Sequence, residues 1–251
     1  MVASPIHIIS INLNKSQPAT ENALQIAVES KADLILVQEP YLNGPSRNRD
    51  DWSNATSTIH ASYTQIFPRH DSELRPRTVT YVSRTFRPTV SLSTNSPSDP
   101  DIQILEISEK QSKLQVINIY NQDDQGNTDY KTFQRCLKDC QTHADLIVAG
   151  DFNSHHPWWN PNVVRIGEEA EAIVDWLETK NLDLLNKPGD HTFWRANLKA
   201  PTTLDLAFAS PRIRERCDSF NVNRAISSDH YGLQFTVRGI VSNSEKVDNP
   251  T

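Results

Sequence analysis

Glycine is scarce in this chain of 251 residues, with 7 glycines against 15 prolines. No glycine-rich phosphate-cradling loop is present, which excludes the usual nucleoside-triphosphate sites. No G-x-S-x-G turn is present either, so a hydrolase serine elbow is excluded. Cysteine is also rare, at 3. Cys136 and Cys140 stand four apart in an expected helix and Cys217 stands alone. That is neither a zinc spacing nor a disulfide framework, and it fits a reducing compartment. Cys136 has no helix start or basic setting to activate it as a nucleophile. No apolar run approaches the ~18 residues of a membrane helix, so no membrane partner is expected. The first residues, MVASPIHIISI, lack the basic start and long apolar stretch of a signal peptide. Net positive charge is lacking too: the formal charge is −6. This argues against a protein that coats nucleic acid through bulk charge, though not against a local grip on phosphate. Arg69, Arg75, Arg77, Arg84 and Arg87 form one basic cluster and Arg212, Arg214 and Arg216 another. Solvated faces and a phosphate-facing rim account for them equally well.

With 37% hydrophobic and 22% charged residues, the chain reads as soluble and globular. One domain is expected over 1–240, followed by a polar tail at 241–251. Short Ile-, Val- and Leu-rich runs predict strands at Ile6–Ile11, Asp33–Val37, Lys113–Ile119 and Leu146–Ala149. Further strands are expected at Thr78–Ser83, Ile102–Ile107, Leu182–Leu185, Thr203–Ala209 and Leu233–Val237. Helices are expected at Thr20–Ser30, with Leu24, Ala27 and Val28 on one face, near Thr128–Thr142, and at Glu168–Thr179. The last buries Ala172, Ile173, Trp176 and Leu177. Ser91–Asp101 reads as a polar loop.

The four central strands run into Asn12, Gln38-Glu39, Tyr120-Asn121 and Gly150-Asp151 respectively. Ligands of α/β sheets bind at that edge, so this convergence marks an active site. Within TLDLAFA, Leu204, Leu206 and Phe208 share one face, and Asp205 and Ala207 the other. A buried Asp205 needs a partner, and the best one is His230 in Ser228-Asp229-His230, an Asp–His pair that selects one imidazole tautomer. Glu39 offers a hard oxygen ligand, enough for Mg²⁺ with help from an Asn. If the chain stays extended, Asp151 and Asn153 point the same way with Phe152 turned inward. Asp151 can then orient or deprotonate a water, and Asn153 and Tyr120 can hold phosphate oxygens. The set suits hydrolysis of a phosphoester.

GDFNSHHPWWN, Gly150–Asn160, looks like a metal cage at first sight. Adjacent His155 and His156 point opposite ways in an extended stretch, however, and a hard-oxygen site has little use for imidazole. They are expected to orient the loop beneath the site, and Trp158 and Trp159 to pack.

The ordered set Asn12-Leu13-Asn14, Gln38-Glu39, Asn118-Ile119-Tyr120, Gly150-Asp151-Phe152-Asn153, Leu204-Asp205 and Ser228-Asp229-His230 resembles the endonuclease/exonuclease/phosphatase superfamily, which includes DNase I and the apurinic/apyrimidinic endonucleases. Gln38-Glu39-Pro40-Tyr41 and GDFNSHHPWW look most like the endonuclease domain of a non-LTR (LINE-type) retrotransposon. The resemblance spans about Ile6 to Val237. It implies a four-layer α/β sandwich, two packed mixed β-sheets flanked by helices. It implies nicking of double-stranded DNA that depends on Mg²⁺, with Mn²⁺ able to substitute, leaving a 3′-hydroxyl that primes reverse transcription. It also implies a reverse transcriptase domain in the same polyprotein as partner, a nuclear location, and a monomeric isolated domain. Residue by residue, Glu39 would bind the metal with Asn12 beside it and Asp229 supporting. Asp151 would activate water, Asn153 and Tyr120 would hold the scissile phosphate, and His230, oriented by Asp205, would contact it. Thr192 and Ser228 would lie at the substrate, and Trp194, Arg195 and Lys199 on a hairpin that touches DNA. Many relatives carry Asp where this chain has Asn14, which weakens a second metal ligand and favours the retrotransposon type over repair. The rivals are an abasic-site repair enzyme or other phosphoesterase of the superfamily, and a nucleic-acid-binding module without catalysis. The intact set Glu39, Asp151, Asn153, Asp205 and His230 disfavours the last.

Overall fold

The computed structural model describes residues 5–44, 51–122, 130–196, 198 and 200–238. Lys199, the tail 241–251, and residues 128 and 129 of the expected second helix lie outside them. In chain order the elements are β1 (Ile6–Asn12), α1 (Gln17–Glu29), β2 (Leu34–Gln38), β3 (Leu42–Asn43), β4 (Thr56–Ser57), β5 (Tyr63–Ile66), β6 (Thr78–Ser83), β7 (Thr89–Leu92), β8 (Ile102–Glu109) and β9 (Ser112–Tyr120). Then follow α2 (Thr132–Arg135), β10 (Leu146–Asp151), α3 (Glu168–Thr179), β11 (Asp183–Leu184), β12 (Asp205–Ala209), α4 (Pro211–Arg214), β13 (Cys217–Asn223) and β14 (Gly232–Val237).

Two six-stranded mixed sheets result, one in the order β13-β14-β1-β2-β6-β5, the other β11-β12-β10-β9-β8-β7. Their facing sides share an apolar layer that includes Ile8, Leu36, Leu105, Val116, Ile147, Ala207 and Phe235. Helix α1 covers the outer side of the first sheet through Ala19, Ala23, Leu24 and Ala27, against Ile9, Ile11, Ile35 and Val37. Phe133 of α2 and Leu137 just after it, with Ile173, Trp176 and Leu177 of α3, cover the second sheet over Ile117, Val148 and Phe208. The order helix, sheet, sheet, helix is the expected four-layer sandwich.

Period-two alternation explains why these strands take two apolar faces each. Along β1, Ile6 and Ile8 face the other sheet while Ile9 and Ile11 face α1. Helix α1 starts at Gln17, three residues earlier than the periodicity predicts. The Ser16 hydroxyl accepts the Ala19 amide at 3.3 Å and Pro18 occupies the first turn, a strong start signal. Val28, expected on the buried face, is exposed. Helix α3 has the expected bounds.

The expected helix near Thr128–Thr142 is not a single helix in its described part. It is the four residues of α2 followed by one 3-10 turn, Leu137–Asp139, with Cys136 breaking between them at φ −132° and ψ −56°. The polar stretch Ser91–Asp101 is not all loop: β7 reaches Leu92, and Asp99 and Asp101 are buried.

Polarity changes along the inter-sheet layer. Behind the apolar residues lie Ser10, Gln38, Thr80, Gln103 and Asn118, all fully buried. The Gln38 amide donates to Asn118 Oδ1 at 2.6 Å, the Asn118 amide to Gln103 Oε1 at 3.1 Å, and the Thr80 hydroxyl to the same oxygen at 2.9 Å. One pleat further, at the strand ends, stand Asn12, Tyr120, Asp151 and Asp205. Each step toward that edge exchanges buried hydrocarbon for hydrogen-bonded amide and then for charge.

Candidate active site

Strand register brings the acids together. In β10, Asp151 lies opposite Tyr120 of parallel β9 and opposite Asp205 of antiparallel β12. A carboxylate at the end of one strand therefore meets one at the start of its neighbour. Gly150 permits this approach: a Cβ there would lie 1.9 Å from the Ile119 carbonyl oxygen.

The two acids do not face each other alone. His230, just before β14, places Nδ1 at 2.9 and 3.1 Å from the two Asp205 oxygens and Nε2 at 3.9 Å from Asp151 Oδ2. All three side chains are buried. Burial works against charge on the imidazole, but Asp205, its hydrogen bond, Asp151 and Asp229 together raise the pKa to about 9. Burial also pushes the Asp151 carboxyl up, opposed chiefly by His230. The Nδ1–H held by Asp205 leaves Nε2–H aimed toward Asp151. The Phe193 ring covers the imidazole, with centroids 4.5 Å apart.

Asp151 is held from both sides. Asn12 Nδ2 donates to Oδ2 at 2.9 Å and the Asn153 amide N–H to Oδ1 at 2.9 Å. The chain does not stay extended here, as the sequence suggested. Asn153 has φ +44°, a left-handed turn that Asn tolerates, and it folds back onto Asp151 rather than running parallel to it. Phe152 does turn into the core. Two residues clamp this turn, Asn121, placed at the edge by sequence but given no role, and Lys131, which sequence reasoning missed: the Asn121 amide donates to the Phe152 carbonyl at 2.8 Å, and Lys131 Nζ to the Asn153 carbonyl at 2.8 Å. Nothing at Lys131 itself marks it, because its partner is 22 residues away.

The strand ends of β1 and β2 turn the same way. Asn14 (φ +46°), Lys15 (φ +58°) and Glu39 (φ +45°) are left-handed. For Lys and Glu this costs about 1–3 kcal/mol. Lys15 donates its amide to the Glu39 carbonyl at 2.8 Å, and its ammonium lies 2.7 Å from Glu39 Oε1. Tyr120 is buried, and its phenol is pushed up by burial and then by the Glu39 and Asp151 carboxylates. The phenol is therefore a hydrogen-bond donor flanked by both acids.

Thr192 does not face the substrate. Its side chain is fully buried, and its hydroxyl accepts the backbone N–H groups of Leu204 at 3.0 Å and Asp205 at 2.9 Å. It therefore fixes the start of β12, not DNA. Ser228 likewise turns inward, donating to the Asn12 carbonyl at 2.8 Å and accepting the His230 amide at 3.3 Å. Trp194 and Arg195 are exposed. Arg195 pairs with Asp229, which also accepts from Asn14 Nδ2 at 3.3 Å.

The histidines of the Gly150–Asn160 loop have partners other than Asp151 and Asp205. His155 lies 3.3 Å from the Thr202 hydroxyl, and His156 Nδ1 accepts the Trp158 amide at 3.1 Å. Trp159 is fully buried among Phe208 and His156, with Trp158 packed against it. The arginine clusters divide as well. Arg77 is buried against Asp101 and so does not join a solvent-facing rim, while Arg212 pairs with Asp145 and stays partly exposed.

Among the described residues, the His, Cys, Asp and Glu groups whose ligand atoms converge within 4.8 Å are Asp151, Asp205 and His230. Glu39 and Asp229, expected as ligands, stand apart from this trio on their pairs with Lys15 and Arg195. Both Asp205 oxygens are engaged by His230 Nδ1, so that side of the trio suits proton placement better than ligation. Glu39, Asn12 and Asp151 carry the remaining hard oxygens at this edge, the donor type that a divalent cation takes.

A family described as endonuclease-reverse transcriptase matches residues 114–234. The endonuclease domain of TRAS1, a telomere-specific non-LTR retrotransposon, is similar in structure with a TM-score of 0.74 at 19% identity, over 93% of this chain and 98% of that one. The AP endonuclease LMAP from Leishmania major matches with a TM-score of 0.70 at 12% identity, over 94% of this chain and 88% of that one. An AP endonuclease from Archaeoglobus fulgidus matches with a TM-score of 0.62 at 18% identity, over 92% and 99%. No curated protein sequence is significantly similar. The chain has the DNase I-like fold of these structures.

Proposed function

We propose that this chain is a divalent-metal-dependent DNA endonuclease that nicks double-stranded DNA by phosphodiester hydrolysis and leaves a 3′-hydroxyl to prime reverse transcription. The observation that carries this reading is the buried Asp151–His230–Asp205 cluster at the meeting of two sheet edges, ringed by neutral donors. Glu39 and Asn12 would hold Mg²⁺, with Mn²⁺ able to substitute, and that ion would supply charge neutralisation at the scissile phosphate.

The protein groups have separate tasks. Asp151, its pKa raised by burial, orients a water and takes its proton as the water oxygen bonds to phosphorus. The bond from phosphorus to the 3′ oxygen breaks, and that oxygen takes a proton from solvent. His230, held by Asp205 and protonated below about pH 9, donates from Nε2 to a non-bridging oxygen. Tyr120 and the Asn153 side-chain amide donate to the same phosphate, which binds the trigonal-bipyramidal charge better than the ground state. Asp229 supports the metal side through its neighbour Asn14. Trp194 and Arg195, both exposed, would touch DNA flanking the cut, and Lys199 takes the same role on its sequence position alone.

The endonuclease-reverse transcriptase family match supports a place in a retrotransposon polyprotein beside a reverse transcriptase; we read 1–240 as one monomeric catalytic domain that acts in the nucleus. Conversion of supercoiled plasmid to open circle tests the reaction. Nicking that requires Mg²⁺ and disappears in Asp151→Ala, with unchanged circular dichroism, is the expected result. Parent-level nicking by Asp151→Ala overturns the assignment. Cutting of abasic-site DNA far in excess of intact DNA places the chain with the repair enzymes instead.

A further inference from the structure

Tyr120 rests on a buried ion cluster. The Arg77 guanidinium lies 5.4 Å from the Tyr120 ring centroid, on the ring face. It is held there by a two-pronged grip on Asp101, through Nε to Oδ1 at 2.6 Å and through the terminal nitrogen to Oδ2. The Arg77 and Asp101 side chains are 10% and 0% exposed. Main-chain bonds extend the grip. The Tyr120 amide donates to the Asp101 carbonyl at 2.8 Å, and the Glu39 amide donates to the Arg77 carbonyl at 2.9 Å. Arg77 directly precedes β6 of the first sheet and Asp101 directly precedes β8 of the second. One ion pair thus ties together the strand ends that deliver Glu39 and Tyr120.

We propose that Arg77 is a positioning residue for phosphodiester hydrolysis, fixing the Tyr120 ring by cation–π stacking and the Glu39 turn by its carbonyl. This rests on the nuclease reading above. A buried ion pair is weak evidence of a stabilising role, since hydrocarbon of equal volume often serves stability as well. Cation–π contact and a rigid fork do what hydrocarbon cannot: they set the ring's direction. Arg135 provides the internal comparison. It binds the same Asp101 at 2.8 Å, and Asp99 at 3.0 Å, but from the α2 side without stacking on Tyr120. A purely structural cluster would make Arg77 and Arg135 equivalent.

The test compares Arg77→Met, Arg77→Lys, Arg135→Met, Tyr120→Phe and the Arg77→Met/Tyr120→Phe double variant in Mg²⁺-dependent plasmid nicking, normalised to folded protein. Arg77→Met is expected to lower kcat about 10- to 100-fold with KM nearly unchanged, the size of a small misplacement of a catalytic group. Arg77→Lys, which keeps the charge but not the fork, recovers only part of the loss, Arg135→Met keeps kcat within about 3-fold, and the double variant is no slower than Tyr120→Phe. Equal kcat losses at Arg77 and Arg135, or multiplicative losses in the double variant, overturn the proposal. If Arg77→Met does not fold, the milder pair Arg77→Lys and Arg135→Lys must show the same ordering. A ¹⁹F spectrum of protein carrying 3-fluorotyrosine reads the ring without any reaction. The Tyr120 resonance, assigned by its loss in Tyr120→Phe, is expected to move in Arg77→Lys and to stay in Arg135→Lys. A parent that does not nick removes the nuclease reading. An unmoved resonance removes the positioning of Tyr120.

Discussion

Replacing Thr192 by Val keeps the side-chain shape and removes one oxygen. In the structure that oxygen accepts two buried backbone N–H groups, those of Leu204 and Asp205. A buried donor left without a partner costs about 1–3 kcal/mol. Because the two share one acceptor and can relax together, Thr192→Val is expected to destabilise by about 2–4 kcal/mol. In a domain of this size that lowers the melting temperature by roughly 5–15 °C. The effect on nicking has a particular form. Loosening the start of β12 lets Asp205 drift from His230, so kcat falls while KM for DNA stays close to that of the parent. Thr192→Ser keeps the acceptor and is expected to lose only about 1 kcal/mol for the buried methyl. Urea unfolding followed by tryptophan fluorescence gives the stability, and nicking kinetics below both melting points give the rest. Stability within about 0.5 kcal/mol of the parent, together with a raised KM and unchanged kcat, would refute the reasoning. It would place Thr192 on the DNA instead.

Two other outcomes are expected. Gly150→Ala forces a methyl to 1.9 Å from the Ile119 carbonyl and parts β9 from β10, a cost of about 3 kcal/mol or more; a soluble variant that melts with the parent contradicts that close approach. His230 has a pKa raised to about 9 from 6.5, so its contribution to stability is complete below pH 6.5 and is lost as pH rises through 9. At 1.36 kcal/mol per pH unit the parent should lose about 3 kcal/mol across that window and Asp205→Asn almost none; parallel profiles in urea unfolding at pH 6.5 and 9.5 would show that the pair is not charged.

The strand cores and the edge that carries the site were legible because both follow from period-two alternation. Ile8 and Leu36 point into the same layer as Ser10 and Gln38, so a run of apolar residues ending in polar ones marks the site edge directly. The Asp205–His230 pair was legible for a similar reason, since an Asp inside an apolar strand requires a partner. Side-chain direction beyond the strand ends was not. Asn153 turns left-handed under clamps from Asn121 and Lys131, and Thr192 turns inward onto Leu204 and Asp205, all partners 12 or more residues away in sequence. Arg77 sits in a cluster of arginines that looks like solvated surface, while its counter-ion, Asp101, is 24 residues away. The helix near Thr128–Thr142 was overextended because Arg135 commits its guanidinium to Asp99 and Asp101 and the chain breaks at Cys136 to allow it.

Each sheet owns only part of the site. Asn12, Glu39 and His230 belong to the first sheet, and Tyr120, Asp151 and Asp205 to the second. Asn12 to Asp151, His230 to Asp205 and Gln38 to Asn118 are the rungs between them. The centre therefore works as a vernier, reading how far one sheet has slid over the other. A void opened at Leu36 or Val116, two pleats from the chemistry, becomes a change in turnover through a tilt of the two plates. Distant core substitutions in this protein should thus be heard first in rate and only later in melting.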